Sequence, residues 1–355
     1  MFQTDSFSYS KIKWIKSKNV NASKIIKNYI LKKNKNDKIL IYQHGGLELN
    51  SKNFKIKINK KYKLIKRWDY VHVNKHDQKI NPKNIQNSLS TLSWLSKQKA
   101  KVLKPEKFLN KKQLIYVNNS YWSIFPFYEG SHYSGNNADF KNITKIIAKT
   151  SQLLLRYPMK YKINKKIFKG FDDTKKIIKI MSKKSKNWKE YFGKKNSNIL
   201  KLYWPKIVEI HNYLEKTKVK KKYLAPVHTD MHPHNLLVNK NHILILDPDS
   251  IMVAPAGEAL AYAGLKICRQ HIVKNKLQKS AAKIGSKYIN IVNKHYSLGK
   301  KFSQDYYYLS LSYVLERLVN IFRLNIFKKN KQWNNFLLMQ LKHIDEAEKI
   351  FKSKN

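Results

Sequence analysis

Residues 223–251, YLAPVHTDMHPHNLLVNKNHILILDPDSI, constrain this chain more than any other stretch. A dense polar loop, His228-Thr229-Asp230-Met231-His232-Pro233-His234-Asn235, runs into Leu236-Leu237-Val238. A polar turn follows at Asn239-Lys240-Asn241, and then the apolar run Ile243-Leu244-Ile245-Leu246. Two short apolar strands around an Asn-rich turn predict a β-hairpin. The second strand ends in Asp247-Pro248-Asp249, so antiparallel pairing sets Asp230 and Asn235 at the entrance beside Asp247 and Asp249 at the exit. A cluster of hard oxygen ligands in a loop suits Mg²⁺ with a phosphorylated substrate. One carboxylate is left to accept a proton.

The pattern H-x-D-x-x-x-x-N, a short hairpin, then an apolar run into D-x-D resembles the catalytic segment of the aminoglycoside phosphotransferase and choline kinase family. That family is similar to the protein kinases in fold. HTDMHPHN is similar to its usual loop, Pro233 included. The resemblance implies that Asp230 is the base that takes the proton of an acceptor hydroxyl. It implies that Asn235 and Asp247 hold Mg²⁺ against the nucleotide phosphates and that Asp249 holds a second ion. His228 becomes a packing and orienting residue. The combined motif is specific; His-x-Asp by itself is noise.

Upstream, Ile39-Leu40-Ile41-Tyr42, Phe54 to Ile58 and Tyr62 to Trp68 alternate in the manner of strands, with turns at Gln43-His44-Gly45-Gly46 and Asn59-Lys60-Lys61. In kinase-like families such a meander forms the small lobe. Its glycine-containing loop covers the phosphates, and a strand lysine neutralises them. The resemblance places that loop at Gly45-Gly46 through Ser51, with Asn50 or Ser51 near the phosphates, and makes Lys66 the strand lysine. Lys63 stays open as the other choice, three residues away and on the opposite face of the strand. Taken alone, Gly45-Gly46 reads as an ordinary hairpin turn.

Pro82 to Lys97 predicts a helix with Ile85, Leu89, Leu92 and Leu95 on one face. The family places a glutamate here to pair with the strand lysine. None stands between Pro82 and Lys104, and Gln86 is the nearest substitute. Leu114 to Val117 and Tyr121 to Phe127 predict two more strands, the second completing a five-stranded sheet. They lead into Phe127-Tyr128-Glu129-Gly130, which resembles the family's hinge, with backbone near Phe127 and Tyr128 facing the adenine edge. From Asn142 the pattern turns helical. Lys160 to Lys195 is lysine-rich and loosely helical. Pro255-Ala256-Gly257-Glu258-Ala259-Leu260-Ala261 resembles the family's helix start, with Glu258 where the usual acid is Asp, bracing the catalytic loop.

The fold expected is α+β, protein-kinase-like and two-lobed, with a small antiparallel sheet lobe and a larger helical lobe. Its parts are a basic segment with a helix near Ala22 to Lys33 (1–37), a nucleotide-binding lobe with hinge (38–130) and a catalytic and acceptor-binding lobe (131–355). A length of 355 residues suits two lobes.

Charge needs its own account. The chain has 73 Lys+Arg against 22 Asp+Glu, a formal +51. An anionic polymer or membrane partner is one reading. The other is compositional bias, because lysines are spread through every segment and arginine is scarce. No zinc-finger, RNA-recognition or helix-turn-helix signature supports a specific nucleic-acid partner. A single cysteine, Cys268, excludes a disulfide framework, and neither a leader nor a membrane span is evident, so a soluble cytoplasmic protein is expected.

The function implied is ATP- and Mg²⁺-dependent phosphorylation of a hydroxyl on a small molecule: a sugar, an amino alcohol, a choline-like compound or an aminoglycoside. A cationic acceptor needs an acidic pocket. The acids for it in the helical part are Asp172, Asp173, Glu316, Asp345 and Glu346, and their scarcity tilts toward a neutral or anionic acceptor. Two other readings compete. One is a nucleotide-binding pseudo-kinase without catalysis. The other is a metallohydrolase that uses His228, Asp230, His232 and His234 as transition-metal ligands.

Overall fold

Alternating apolar and charged residues between Ile39 and Trp68 fold as the antiparallel meander that their period of two dictates. The computed structural model describes residues 13–18, 20–30, 39–45, 53–58, 61–68, 70–73, 76–79, 82–158, 166–217, 223–239, 242–247, 251–329, 331 and 333–352. The chain opens with β1 (Lys13–Lys16), α1 (Val20–Ile25) and a π-helical turn (Ile26–Ile30). The strands β2 (Ile39–Gly45), β3 (Asn53–Ile58) and β4 (Lys61–Trp68) follow, and then a hairpin of β5 (Tyr70–Val73) and β6 (His76–Lys79). Next come α2 (Pro82–Lys97), β7 (Ile115–Val117), β8 (Ser120–Pro126) and β9 (Ser131–His132).

Among the described residues the main sheet has six strands in the order β1-β2-β3-β4-β8-β7, one more than the five expected. The extra edge strand, KWIK, is short and lysine-bounded, a composition that protects a sheet edge but carries little strand signal. One face packs on α1: Phe54, Ile56, Ile65, Trp122 and Ile124 are buried with Ala22, Ile25 and Ile26. The four apolar positions of α2 (Ile85, Leu89, Leu92 and Leu95) are likewise buried.

The chain continues through α3 (Asn137–Leu155), α4 (Lys166–Lys183) and α5 (Trp188–Lys216), which is interrupted at Gly193 by a residue with φ 79°. Then come β10 (Leu224–His228), a 3₁₀ turn (Pro233–Asn235), β11 (Leu236–Val238), β12 (Ile243–Ile245) and β13 (Ile251–Pro255). The helices α6 (Ala256–Lys274), α7 (Ala281–His295), α8 (Tyr306–Lys328) and α9 (Asn334–Phe351) complete it. The α6 run Ala256–Ile272 is buried all round, and its small residues let α7 and α8 approach it closely. No helix among the described residues is long and apolar enough to cross a membrane.

By their internal contacts the residues form two compact units. One takes Ser8–Tyr133 with His234–Ile251; the other takes Ser134–Pro233 with Met252–Asn355. The hairpin β11–β12 belongs with the sheet unit because β11 also pairs with β9, Leu237 opposite His132 and Val238 opposite Ser131.

Candidate active site

The hairpin read from the sequence forms in the register its apolar residues require, Leu236 opposite Ile245 and Val238 opposite Ile243. The Leu246 N–H closes its open end by donating to the Asn235 carbonyl at 2.8 Å. The buried Asn235 and the half-buried Asp247 are therefore brought to the same end of the hairpin. Asp247 sits in the left-handed region with φ 59°, where short polar residues are tolerated best. Its carboxylate accepts from Lys66 Nζ at 2.7 Å. Lys66 is buried on β4, with its ammonium 4.4 Å from the centre of the Trp68 ring two residues on.

This settles which strand lysine meets the motif. Lys63 points the other way and pairs with Glu106. On α2, Gln86 is exposed, and Lys66 takes a carboxylate from the hairpin. At the end of β8, Phe127 lies edge-on to Trp14 at 5.7 Å and beneath the Lys55 ammonium at 4.2 Å, while Tyr128 meets His242 at 6.0 Å. The Glu129 carbonyl accepts from Asn239 Nδ2 at 2.8 Å, and a side chain at Gly130 would come within 2.9 Å of the Val238 carbonyl oxygen. Gly45 ends β2; Gly46, Asn50, Ser51 and Asp249 lie outside the described residues.

In the helical unit, β10 leads from the buried Val227 and His228 into the turn that carries Asp230. Each oxygen of Asp230 faces a basic group: Oδ1 lies 3.3 Å from Arg317 Nη2 on α8, and Oδ2 lies 3.4 Å from His232 Nε2. Burial would raise the affinity of this carboxyl for a proton. The hydrogen bond and charge of His232, with Arg317 and His228, outweigh it and hold the group well below the usual carboxylate range. Arg317 also donates to the Tyr262 hydroxyl and lies over that ring, 5.0 Å from its centre. Glu258 is buried in the first turn of α6 and accepts from Ser312 Oγ at 2.7 Å, so it ties α6 to the helix that carries Arg317. Neither Arg317 nor Tyr262 stands in a motif. The one signal available was scarcity, for the chain has only five arginines.

The histidines do not build a transition-metal site. Among the described residues no three His, Cys, Asp or Glu side chains gather around a point. His234 lies edge-on to His132 at 5.2 Å, while His228 and His232 attend Asp230. Two acids considered for a cationic acceptor are engaged elsewhere. Asp345 accepts from Tyr203 and Lys206, and Glu346 is buried against Arg269 at 2.9 Å. The side chains of Asp172 and Asp173 lie outside the described residues.

A sheet unit whose strand lysine meets an Asp after the H-x-D-x-x-x-x-N loop, joined to a mainly helical unit, defines a kinase-like phosphotransferase fold. Solved structures share it. A microcompartment-associated aminopropanol kinase aligns with TM-score 0.59 and 12% identity over 92% of this chain and 94% of its own. A spectinomycin phosphotransferase in complex with ADP and spectinomycin gives 0.57 and 16% over 88% and 92%. The Plasmodium vivax ethanolamine kinase gives 0.52 and 14% over 89% and 84%. No curated protein matches the sequence. The profile of the phosphotransferase enzyme family matches residues 58–273, and the chain belongs to that family. Family membership makes it a phosphotransferase.

Proposed function

We propose that the chain transfers the γ-phosphoryl group of ATP to a hydroxyl, with Asp230 as the base and Lys66, Asn235 and Asp247 serving the nucleotide. The observation that carries this reading is the Lys66–Asp247 pair. It joins the strand lysine and the motif carboxylate, two residues from distant stretches of sequence. Lys66 supplies fixed positive charge for the phosphates. Asn235 and Asp247 fit Mg²⁺, because the hairpin brings two hard oxygen donors to one end and Mg²⁺ needs only one or two protein ligands beside phosphate and water. When bound, Mg²⁺ neutralises charge on the transferred group. Asp249 would hold a second ion.

The acceptor oxygen forms the new bond to phosphorus as the bond to the ADP oxygen breaks. Its proton passes to Asp230. A carboxylate held this far below its ordinary range is a weak base, so it chiefly orients the hydroxyl and takes the proton late. Phe127, Tyr128, Gly45, Gly46, Asn50 and Ser51 complete the nucleotide side in this reading, and His228 and Glu258 hold the framework.

The test is ATP consumption with Mg²⁺ over a panel of hydroxylated metabolites, with Asp230→Ala in parallel. Turnover on at least one acceptor is expected, falling by roughly 10²–10⁴-fold in the variant. Undiminished turnover in Asp230→Ala removes the assignment.

A further inference from the structure

We propose that Arg317 is an acceptor-binding residue, and that the acceptor carries an anionic group, a carboxylate or a phosphate, beside the hydroxyl that is phosphorylated. This rests on the phosphotransferase reading above and names the substrate class of that same site.

Geometry comes first. Arg317 places Nη2 3.3 Å from Oδ1 of Asp230, and its side chain is 38% exposed. Tyr262 fixes the guanidinium plane through its hydroxyl and its ring. Among the described residues these two partners use two of the five N–H donors. An oriented, half-exposed guanidinium beside the proton-accepting carboxylate is a fork for planar or tetrahedral oxyanions.

Composition sharpens the point. Of 73 basic residues only five are arginines. A lysine would supply charge to Asp230 equally well; what the guanidinium adds is bidentate recognition of carboxylate or phosphate. Among the charged groups that act on Asp230 are His232, Arg317 and His228, all basic. Glu316, on the same helix, is a further carboxylate that acts on Arg317. Asp345, Glu346 and Glu258 are tied to Lys206, Arg269 and Ser312. A net charge of +51 also repels a cationic acceptor and draws an anionic one.

The test uses acceptors that share a primary hydroxyl and differ in charge: glycerol, glycerate, glycerol 3-phosphate, ethanolamine and serine, followed by ADP release at saturating ATP. We expect kcat/KM at least about tenfold higher for glycerate or glycerol 3-phosphate than for glycerol, with ethanolamine poorest, as one charge-assisted contact allows. Arg317→Gln should erase that preference by raising KM for the anionic members while KM for ATP holds, and Arg317→Lys should restore part of it. The ratio of glycerate to glycerol 3-phosphate distinguishes carboxylate from phosphate.

Glycerol or ethanolamine serving as well as the anions overturns the proposal. So does Arg317→Gln lowering every acceptor alike, the outcome for a mere brace of Asp230. Should no member turn over, calorimetry decides: glycerate or glycerol 3-phosphate binding no tighter than glycerol overturns it too. A variant that fails to fold leaves the wild-type panel to decide. Turnover that needs Asp230 but ignores acceptor charge sinks only this inference, whereas turnover indifferent to Asp230→Ala sinks the reading beneath it.

Discussion

Lys66 and Asp247 find one another across 181 positions of sequence, and each is shaped for the other. The lysine is buried on a strand, where its charge needs a partner. The aspartate occupies a backbone conformation that excludes most side chains. Asp247→Asn is therefore a cleaner probe than Ala, because Asn accepts the same φ and removes only the charge. Magnesium-dependent nucleotide affinity should fall about tenfold or more, as expected for loss of one charge-assisted ligand contact; unchanged calorimetric binding would count against the metal role. Asp230 offers a second residue-level prediction. Its folded affinity for a proton lies below that of an unfolded carboxylate, which titrates near about 4. The stability it contributes is thus fully present above about pH 4 and is lost as pH falls through the lower folded value. The difference in urea midpoint between wild type and Asp230→Asn should be present at neutral pH and shrink on acidification below about pH 4. A gap as wide at about pH 3 as at pH 7 would contradict this.

Among elements, α7 and α9 approach closely: a Cβ at Gly285 would fall 2.0 Å from the Ile350 carbonyl oxygen. Backbone cannot step aside as a side chain can. Gly285→Ala should therefore cost roughly 1–3 kcal/mol by forcing the helices apart, read by chemical denaturation; a neutral variant would show that the crossing is loose. The elements also show where sequence was readable. Strong periods spoke plainly: the meander Ile39 to Trp68 and the face Ile85-Leu89-Leu92-Leu95. The weak ones were short and charged. KWIK at β1 and the β5–β6 hairpin hold too few apolar positions to declare a period. The helix read at Ala22 to Lys33 is α1 with a π-helical turn over Ile26–Ile30; residues 31–33 lie outside the described residues. The motif residues Asp230, Asn235 and Asp247 were legible because their chemistry restricts residue type and spacing. Arg317 was not, since it reaches Asp230 from a helix 87 positions away through tertiary packing alone.

At the scale of the whole chain, an excess of 51 positive charges sets a repulsive background. Raising salt from about 0.05 to about 0.5 M should raise the melting temperature by screening that repulsion; a fall would mean that specific ion pairs outweigh the general field. The division into two units has a different consequence, one of timing. The sheet unit is interrupted in sequence, and β11 and β12 join it only after α3, α4 and α5 have been made. A ribosome that has released β1 through β9 has released a sheet unit without the pairing partner of β9 and without the carboxylate of Lys66. The part of the protein begun first is therefore completed late, and a chain cut anywhere before residue 234 carries a sheet that cannot be finished.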